Sequence, residues 1–128
     1  MRVLIDTHVL LWLQREPERL SARVASLLTA RETTVLVSAA SAWEIAIKVR
    51  AGKFQFDNAF LANFDRCLIE MTFEPLHITS AHAIAAGSLA GQHKDPFDRM
   101  LAGQAISESL ALVSADPHFK LLGVETVW

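Results

Sequence analysis

Short apolar runs alternating with helix-length segments along the whole chain predict an α/β fold with a central parallel sheet. Strand–helix–strand connections are right-handed crossovers, which place helices on both faces of such a sheet. Size and composition agree. The 128 residues suit one domain, residues 1–128, and a chain of this size buries about 65–70% of its extended surface without staples. A hydrophobic fraction of 52% with 20% charged residues excludes a disordered chain or a disulfide scaffold. There is no linker, low-complexity tract or repeat period.

The elements follow in order. Arg2 to Ile5 reads as a buried strand, and Val9 to Leu13 or Gln14 as a short helix. Ala22 to Arg31 is a helix with Ser21 at its N-cap. Thr33 to Val37 is β-branched and reads as a second strand. Ala39 to Ala51 is a largely buried helix closed by Gly52, and Ala59 to Glu70 a helix capped by Asp57 or Asn58. Phe73 to Ile78 is a strand whose Pro75 assigns it to an edge. Thr79 caps a helix that runs through Ala86 and stops at Gly87. Asp95-Pro96 opens a helix to about Ser107, and Leu110 to Val113 and Val124 to Val127 close the sheet.

Composition also bounds location. No apolar run approaches the ~20 residues of a membrane span. The start, Met1-Arg2-Val3-Leu4-Ile5-Asp6, reaches an acid too soon for a signal peptide. The single cysteine, Cys67, excludes an internal disulfide. A cytoplasmic protein with no membrane partner is expected. The net charge of −2 provides no overall positive field for nucleic acid.

In an open parallel sheet, ligands bind outside the carboxyl ends of the strands. Asp6 follows the first strand directly, and Asp116 follows the Leu110 to Val113 strand after Ser114 and Ala115. Each is equally well suited to capping a helix. Glu44 lies with Ser41 and Lys48 on one narrow polar stripe of an otherwise apolar helix. A capping box from Ser41 to Glu44 would require the helix to begin at Ser41, yet the apolar pattern starts earlier. Asp98 precedes Leu101, Ala102 and Ala105 on the apolar face of its helix, so it faces inward and needs a partner. Asp95 is better placed as the cap of that helix. Four carboxylates in one cleft repel one another unless a cation joins them. Oxygen-only donors select Mg²⁺ or Mn²⁺ rather than Zn²⁺, and Mg²⁺ in such a cleft serves phosphate chemistry. The chain has no glycine-rich phosphate loop.

Four motifs then stand in order: Leu4-Ile5-Asp6-Thr7-His8, Ser41-Ala42-Trp43-Glu44-Ile45, His93-Lys94-Asp95-Pro96-Phe97-Asp98-Arg99 and Ser114-Ala115-Asp116. With them the whole chain resembles the PIN-domain ribonucleases, and among these the VapC-type toxins of bacterial toxin–antitoxin pairs. The resemblance implies a three-layer α/β/α fold with a central parallel sheet. It also implies a metal-binding quartet of Asp6, Glu44, Asp98 and Asp116, with Asp95 as an extra acid of this branch. It implies Mg²⁺- or Mn²⁺-dependent endonucleolytic cleavage of RNA and a cognate antitoxin that blocks the site.

Thr7 and Ser114 stand beside acids and are expected to orient them or the metal's waters. Lys48, Lys94 and Arg99 are candidates for contacting RNA phosphates or offsetting the acids. His8, His77, His82 and His118 are assigned packing or surface roles, and His93 is singled out for its nearness to the Asp98 turn. Phe60 and Phe64, spaced i and i+4, are expected to pack on one helix face. Apolar side chains around Trp12, Phe54 and Phe56 motivate a homodimer. With no Ser–His or Cys–His pair to serve as nucleophile and base, water is the expected attacking group. Two other classes compete. A phosphatase with Asp6 as nucleophile would carry a second acid where His8 stands. A receiver-like module would need an early acidic pair and a late strand-end lysine, where this chain has Asp6 alone and Asp116.

Overall fold

The computed structural model describes residues 1–91 and 95–128. Its five-stranded sheet comprises β1 (Arg2–Ile5), β2 (Thr34–Ser38), β3 (Glu74–Leu76), β4 (Ala111–Val113) and β5 (Thr126–Val127). The strand order is β3-β2-β1-β4-β5, and every pairing is parallel. The helices are α1 (Thr7–Arg15), α2 (Ala22–Thr29), α3 (Ala39–Arg50), α4 (Asn58–Ala62), α5 (Phe64–Glu70), α6 (Ser80–Ser88), α7 (Pro96–Ser107) and α8 (His118–Leu121). A 3₁₀ turn, Pro17–Arg19, joins α1 to α2.

Alternation along the strands builds two cores. Val3, Ile5, Val35, Val37 and Val113 project to one face, where α1, α2 and α5 supply Val9, Leu10, Val24, Leu28 and Leu68. Leu4, Leu36 and Leu112 project to the other, covered by Leu101, Ala102 and Ala105 of α7 and by Phe119. The result is the expected three-layer α/β/α arrangement. β1 is central, with Leu4 in register with Leu36 on one side and Leu112 on the other. The strand order reverses around β1, so the carboxyl ends of β1 and β4 flank the crevice where open α/β sheets take ligands. This order also differs from the 2-1-3-4-5 order of flavodoxin-like sheets, which removes the receiver-like alternative.

Several expected boundaries shift, each for a local reason. α1 starts at Thr7, two residues before the first apolar position, and runs to Arg15. The helix expected from Ala59 to Glu70 is broken at Asn63, whose amide donates to the Ala59 carbonyl at 3.1 Å and whose backbone leaves the helical region. Phe60 and Phe64 therefore lie on separate helices, yet their rings still meet edge to face at 5.3 Å. β3 keeps only three residues at the sheet edge, with Pro75 opposite Val37. α8 was not anticipated. Ser21, Asp57 and Thr79 cap their helices as expected, accepting from Val24, Ala59 and His82.

The main correction concerns α3, which is not largely buried. Trp43 is 56% and Ile47 44% exposed, whereas Ser41 and Glu44 are buried. The helix sits between α1 and α7 at the end of β2, so its polar stripe turns inward and part of its apolar surface turns out.

α6 and α7 are the most intimately packed helices, and Gly103 permits their approach. A Cβ there would stand 2.7 Å from the Ala86 amide nitrogen and 2.9 Å from its Cα. Backbone atoms cannot yield as a side-chain tip can. Gly103→Ala should therefore cost about 1–3 kcal/mol in urea unfolding. Gly87→Ala, in the same helix pair with nothing within 4 Å of its Cβ, should instead gain up to about 1 kcal/mol. A gain at both positions would show that the helices simply move apart.

Candidate active site

Parallel pairing of Ile5 with Val113 brings the residues following β1 and β4 side by side. The Asp6 amide donates to the Val113 carbonyl at 3.0 Å, and the Ser114 hydroxyl donates to Asp6 Oδ2 at 2.8 Å. Asp6 occupies the N-cap position of α1, but its side chain accepts no helix amide. The capping account of Asp6 therefore fails, because its carboxylate turns to Ser114 instead. Ser114 Oγ also accepts the Asp116 amide at 3.0 Å, which leaves its one proton for Asp6.

Asp116 is half-buried, and its Oδ1 lies 2.9 Å from the His118 amide and 2.8 Å from His118 Nδ1. For Asp116 the capping account holds in part: its carboxylate accepts the first amide of α8.

Glu44 reaches the site from α3. Ser38 caps that helix, its Oγ accepting the Ala40 amide at 2.9 Å, so the helix begins before Ser41 and no Ser41–Glu44 capping box forms. Glu44 is 3% exposed, and its Oε2 lies 2.5 Å from Lys48 Nζ. One turn earlier, Ser41 Oγ meets Thr7 Oγ1 at 2.9 Å, both side chains being buried. This strut joins the start of α1 to α3 beside Asp6. The sequence signal for it was the spacing of Ser41 from Glu44, read there as a possible cap. Thr7 thus acts on α3 rather than on a carboxylate.

Asp98 lies half-buried in the first turn of α7. Asp95 caps that helix, its Oδ1 accepting the amides of Phe97 at 2.9 Å and Asp98 at 3.2 Å, as expected of it. Arg99 Nη2 donates to the Leu89 carbonyl, tying α7 to the end of α6. Gln92, His93 and Lys94 lie outside the described residues, so the expectations for His93 and Lys94 fall there.

Electrostatics tie these segments together. The Asp6 carboxyl is raised from its ordinary 3.8 to about 6, chiefly by burial. The Ser114 hydrogen bond and His8 pull it down, while the charges of Asp98 and Glu44 push it further up. Glu44 on α3 and Asp98 on α7 thus both bear electrostatically on Asp6, which follows β1. The Asp116 backbone amide reaches the same Ser114 hydroxyl, while its carboxylate faces His118.

Among the described residues no three carboxylate, imidazole or thiol groups form a ready metal cage. Mg²⁺ does not require one: it keeps several waters and is held by one or two carboxylates. A buried carboxylate pressed by two like charges, in an oxygen-only donor set, fits a hard divalent cation of that kind.

The remaining histidines have structural partners. His82 is buried, its Nδ1 accepts the Thr79 amide at 3.1 Å, and its Nε2 therefore donates to Glu108 at 2.7 Å. His77 meets Asp65 at 3.3 Å on the surface. The apolar surface expected around Trp12, Phe54 and Phe56 is largely folded in. Phe56 is buried against Phe60, Trp12 and Phe54 are half-buried, and Trp12 packs on Trp128.

The raised Asp6 carboxyl makes stability depend on pH. Its proton is held more tightly in the folded chain, so the stabilisation is complete below about pH 3.8 and lost as pH rises through about 6. The loss amounts to roughly 3 kcal/mol at most. Asp6→Asn carries no such charge. It should unfold at higher urea than the parent at pH 7.5 without metal, and the gap should close by pH 4. An equal gap at both pH values would assign the effect to packing.

The sequence profile of the PIN domain matches residues 3–125. No curated protein matches the chain. Among solved structures, VapBC2 from Rickettsia felis, bound to a promoter DNA fragment, superposes with a TM-score of 0.72 at 18% identity, covering 99% of this chain and 98% of that one. VapBC-1 from nontypeable Haemophilus influenzae gives 0.69 at 17%, covering 99% and 97%. FitAcB from Neisseria gonorrhoeae gives 0.68 at 21%, covering 100% and 97%. Identities this low speak for a shared fold. Together with a profile match over nearly the whole length, they establish that the chain belongs to the PIN domain family.

Proposed function

We propose that residues 1–128 form one catalytic domain, a VapC-type toxin that cleaves RNA endonucleolytically with Mg²⁺ or Mn²⁺ and is silenced by a cognate antitoxin. One observation carries this reading: two buried carboxylates from separate segments, Asp6 beyond β1 and Glu44 on α3, flank the Thr7–Ser41 hydrogen bond at the switch point of a parallel sheet. Membership of the PIN domain family and likeness to VapBC and FitAB structures support it. Among the described residues no helix is long and apolar enough to cross a membrane, in keeping with a cytoplasmic site of action.

The family resemblance, rather than a cluster already formed among the described residues, assigns Asp6, Glu44, Asp98 and Asp116 to hold the ion, with Asp95 shaping the Asp98 turn as its cap. When bound, a divalent ion lowers the pKa of water and offsets phosphate charge. The chain's own contribution is positional. Ser114 fixes Asp6 through its hydrogen bond to Oδ2. Lys48 holds Glu44 through an ion pair at 2.5 Å. Attack by water leaves a 5′-phosphate and a 3′-hydroxyl. An antitoxin that presents Arg or Lys into this cleft would satisfy the same acids and exclude the metal. The family resemblance also carries the proposal of a homodimer, which sedimentation at micromolar concentration tests directly.

Incubation of RNA with the purified protein should give fragments that ligate directly to an adaptor through their 5′-phosphates. Activity should vanish in EDTA and return with Mg²⁺ or Mn²⁺. Asp6→Asn and Glu44→Gln should be inactive, whereas Ser114→Ala should retain a rate lowered about 10–100-fold, the usual loss when a ligand's orienting partner goes. Cyclic-phosphate ends, or full activity in EDTA, would overturn the mechanism.

A further inference from the structure

A groove beside the acids reverses the sign of the surface. It lies between α1 and residues 53–55, with a cavity of about 290 Å³, at the small end of the range for ligand sites. Arg15, Arg19 and Lys53 line it, together with His8, Trp12 and Phe54. The one acid in its wall, Glu16, is engaged with Arg19 at 3.0 Å. In a chain of net charge −2 this is a local concentration of cations. It is also floored by rings. His8 lies 5.9 Å from Trp12 and 5.8 Å from Phe54 between ring centres, and Arg19 stacks over Trp12 at 4.5 Å.

The groove is continuous with the acidic site. His8 comes two residues after Asp6, in the first turn of α1. On the other side, Lys48 bridges Glu44 at 2.5 Å and the Phe54 ring at 5.0 Å. From Asp6 the helix carries Arg15 about 13 Å along its axis, at 1.5 Å per residue. Arg15 is already oriented, since its Nη1 donates to Gln55 at 2.6 Å, and the fork keeps further donors.

A polynucleotide needs such a surface. When one phosphate lies at the acids, its neighbours along the strand are repelled by the same carboxylates and must find cations close by. Rings alternating with cations are what single strands use for bases and phosphates respectively. We infer that this groove seats the nucleotides flanking the cleaved bond, with Arg15 and Lys53 on phosphate and the Trp12–Phe54–His8 rings against a base. The inference rests on the ribonuclease reading above and names where its substrate strand leaves the acids.

The test measures binding apart from cleavage. A labelled oligouridylate is titrated into the Asp6→Asn protein in EDTA, with and without Arg15→Gln and Lys53→Gln together. A matched variant, Arg23→Gln with Arg66→Gln, removes equal charge outside the groove. The groove variant should weaken binding about tenfold and flatten the salt dependence by about 1.4 in log–log slope, the value for two single-strand phosphate contacts. The matched variant should do neither. In the active background the groove pair should raise KM for a long oligonucleotide and leave kcat unchanged, with an unaltered melting curve. Equal effects from both pairs, or none, overturn the groove while metal-dependent cleavage by the parent protein leaves the ribonuclease reading standing. Loss of polyglutamate binding with oligouridylate binding intact overturns it in favour of an acidic protein segment. A parent protein that neither binds nor cuts RNA overturns both readings together.

Discussion

The hydrogen bond from Ser114 to buried Asp6 is the constraint around which the molecule is arranged. It exists because β1 and β4 are parallel neighbours in register, so that the first residue beyond each strand lies beside the other. Its effects run outward along the backbone. Ser114 receives the Asp116 amide and holds the turn into α8, while the Asp6 side chain caps no amide of α1 and only its backbone carbonyl accepts from Val9 and Leu10. The Thr7–Ser41 strut then locks α1 to α3 and brings Glu44 into the same field. A single sheet register thereby sets the position of acids that are far apart in sequence.

This arrangement opposes stability. Two negative side chains act on a third that is already short of water, and the fold carries that repulsion. The chain softens it with means it has at hand: a serine proton on Asp6, His8 nearby, and an ammonium against Glu44.

α3 shows how the same trade-off shapes the surface. A helix of mostly apolar composition would ordinarily turn its few polar groups to water. Here Ser41 and Glu44 are inside and Trp43 is outside, edge to face with Phe97 at 4.8 Å. Trp43 and Phe97 each precede an acid of the site, so the contact ties α3 to α7 next to Glu44 and Asp98. The helix turns its polar stripe inward and leaves part of its apolar area exposed.

The sequence by itself determined the fold class and most of the elements, the break at Asn63 and α8 excepted. Alternation of strand-length and helix-length apolar segments prescribes a parallel sheet with crossovers, because local periodicity follows from backbone geometry. It also marked Asp6 and Asp116 at strand ends, since a strand's end is visible where its apolar run stops. Caps such as Ser21, Asp57, Thr79 and Asp95 were legible for the same reason: their hydrogen bonds close within three residues. The tertiary structure decided everything that depends on contacts between distant segments. Only the strand order separates this sheet from a flavodoxin-like one. Only packing between α1 and α7 turns Glu44 inward and Trp43 outward on one helix. Only the pairing of β1 with β4 makes Ser114 the partner of an acid 108 residues away. Periodicity reports which residues share a face, but which neighbour that face meets is set by long-range register and by the hydrogen bonds buried groups must find.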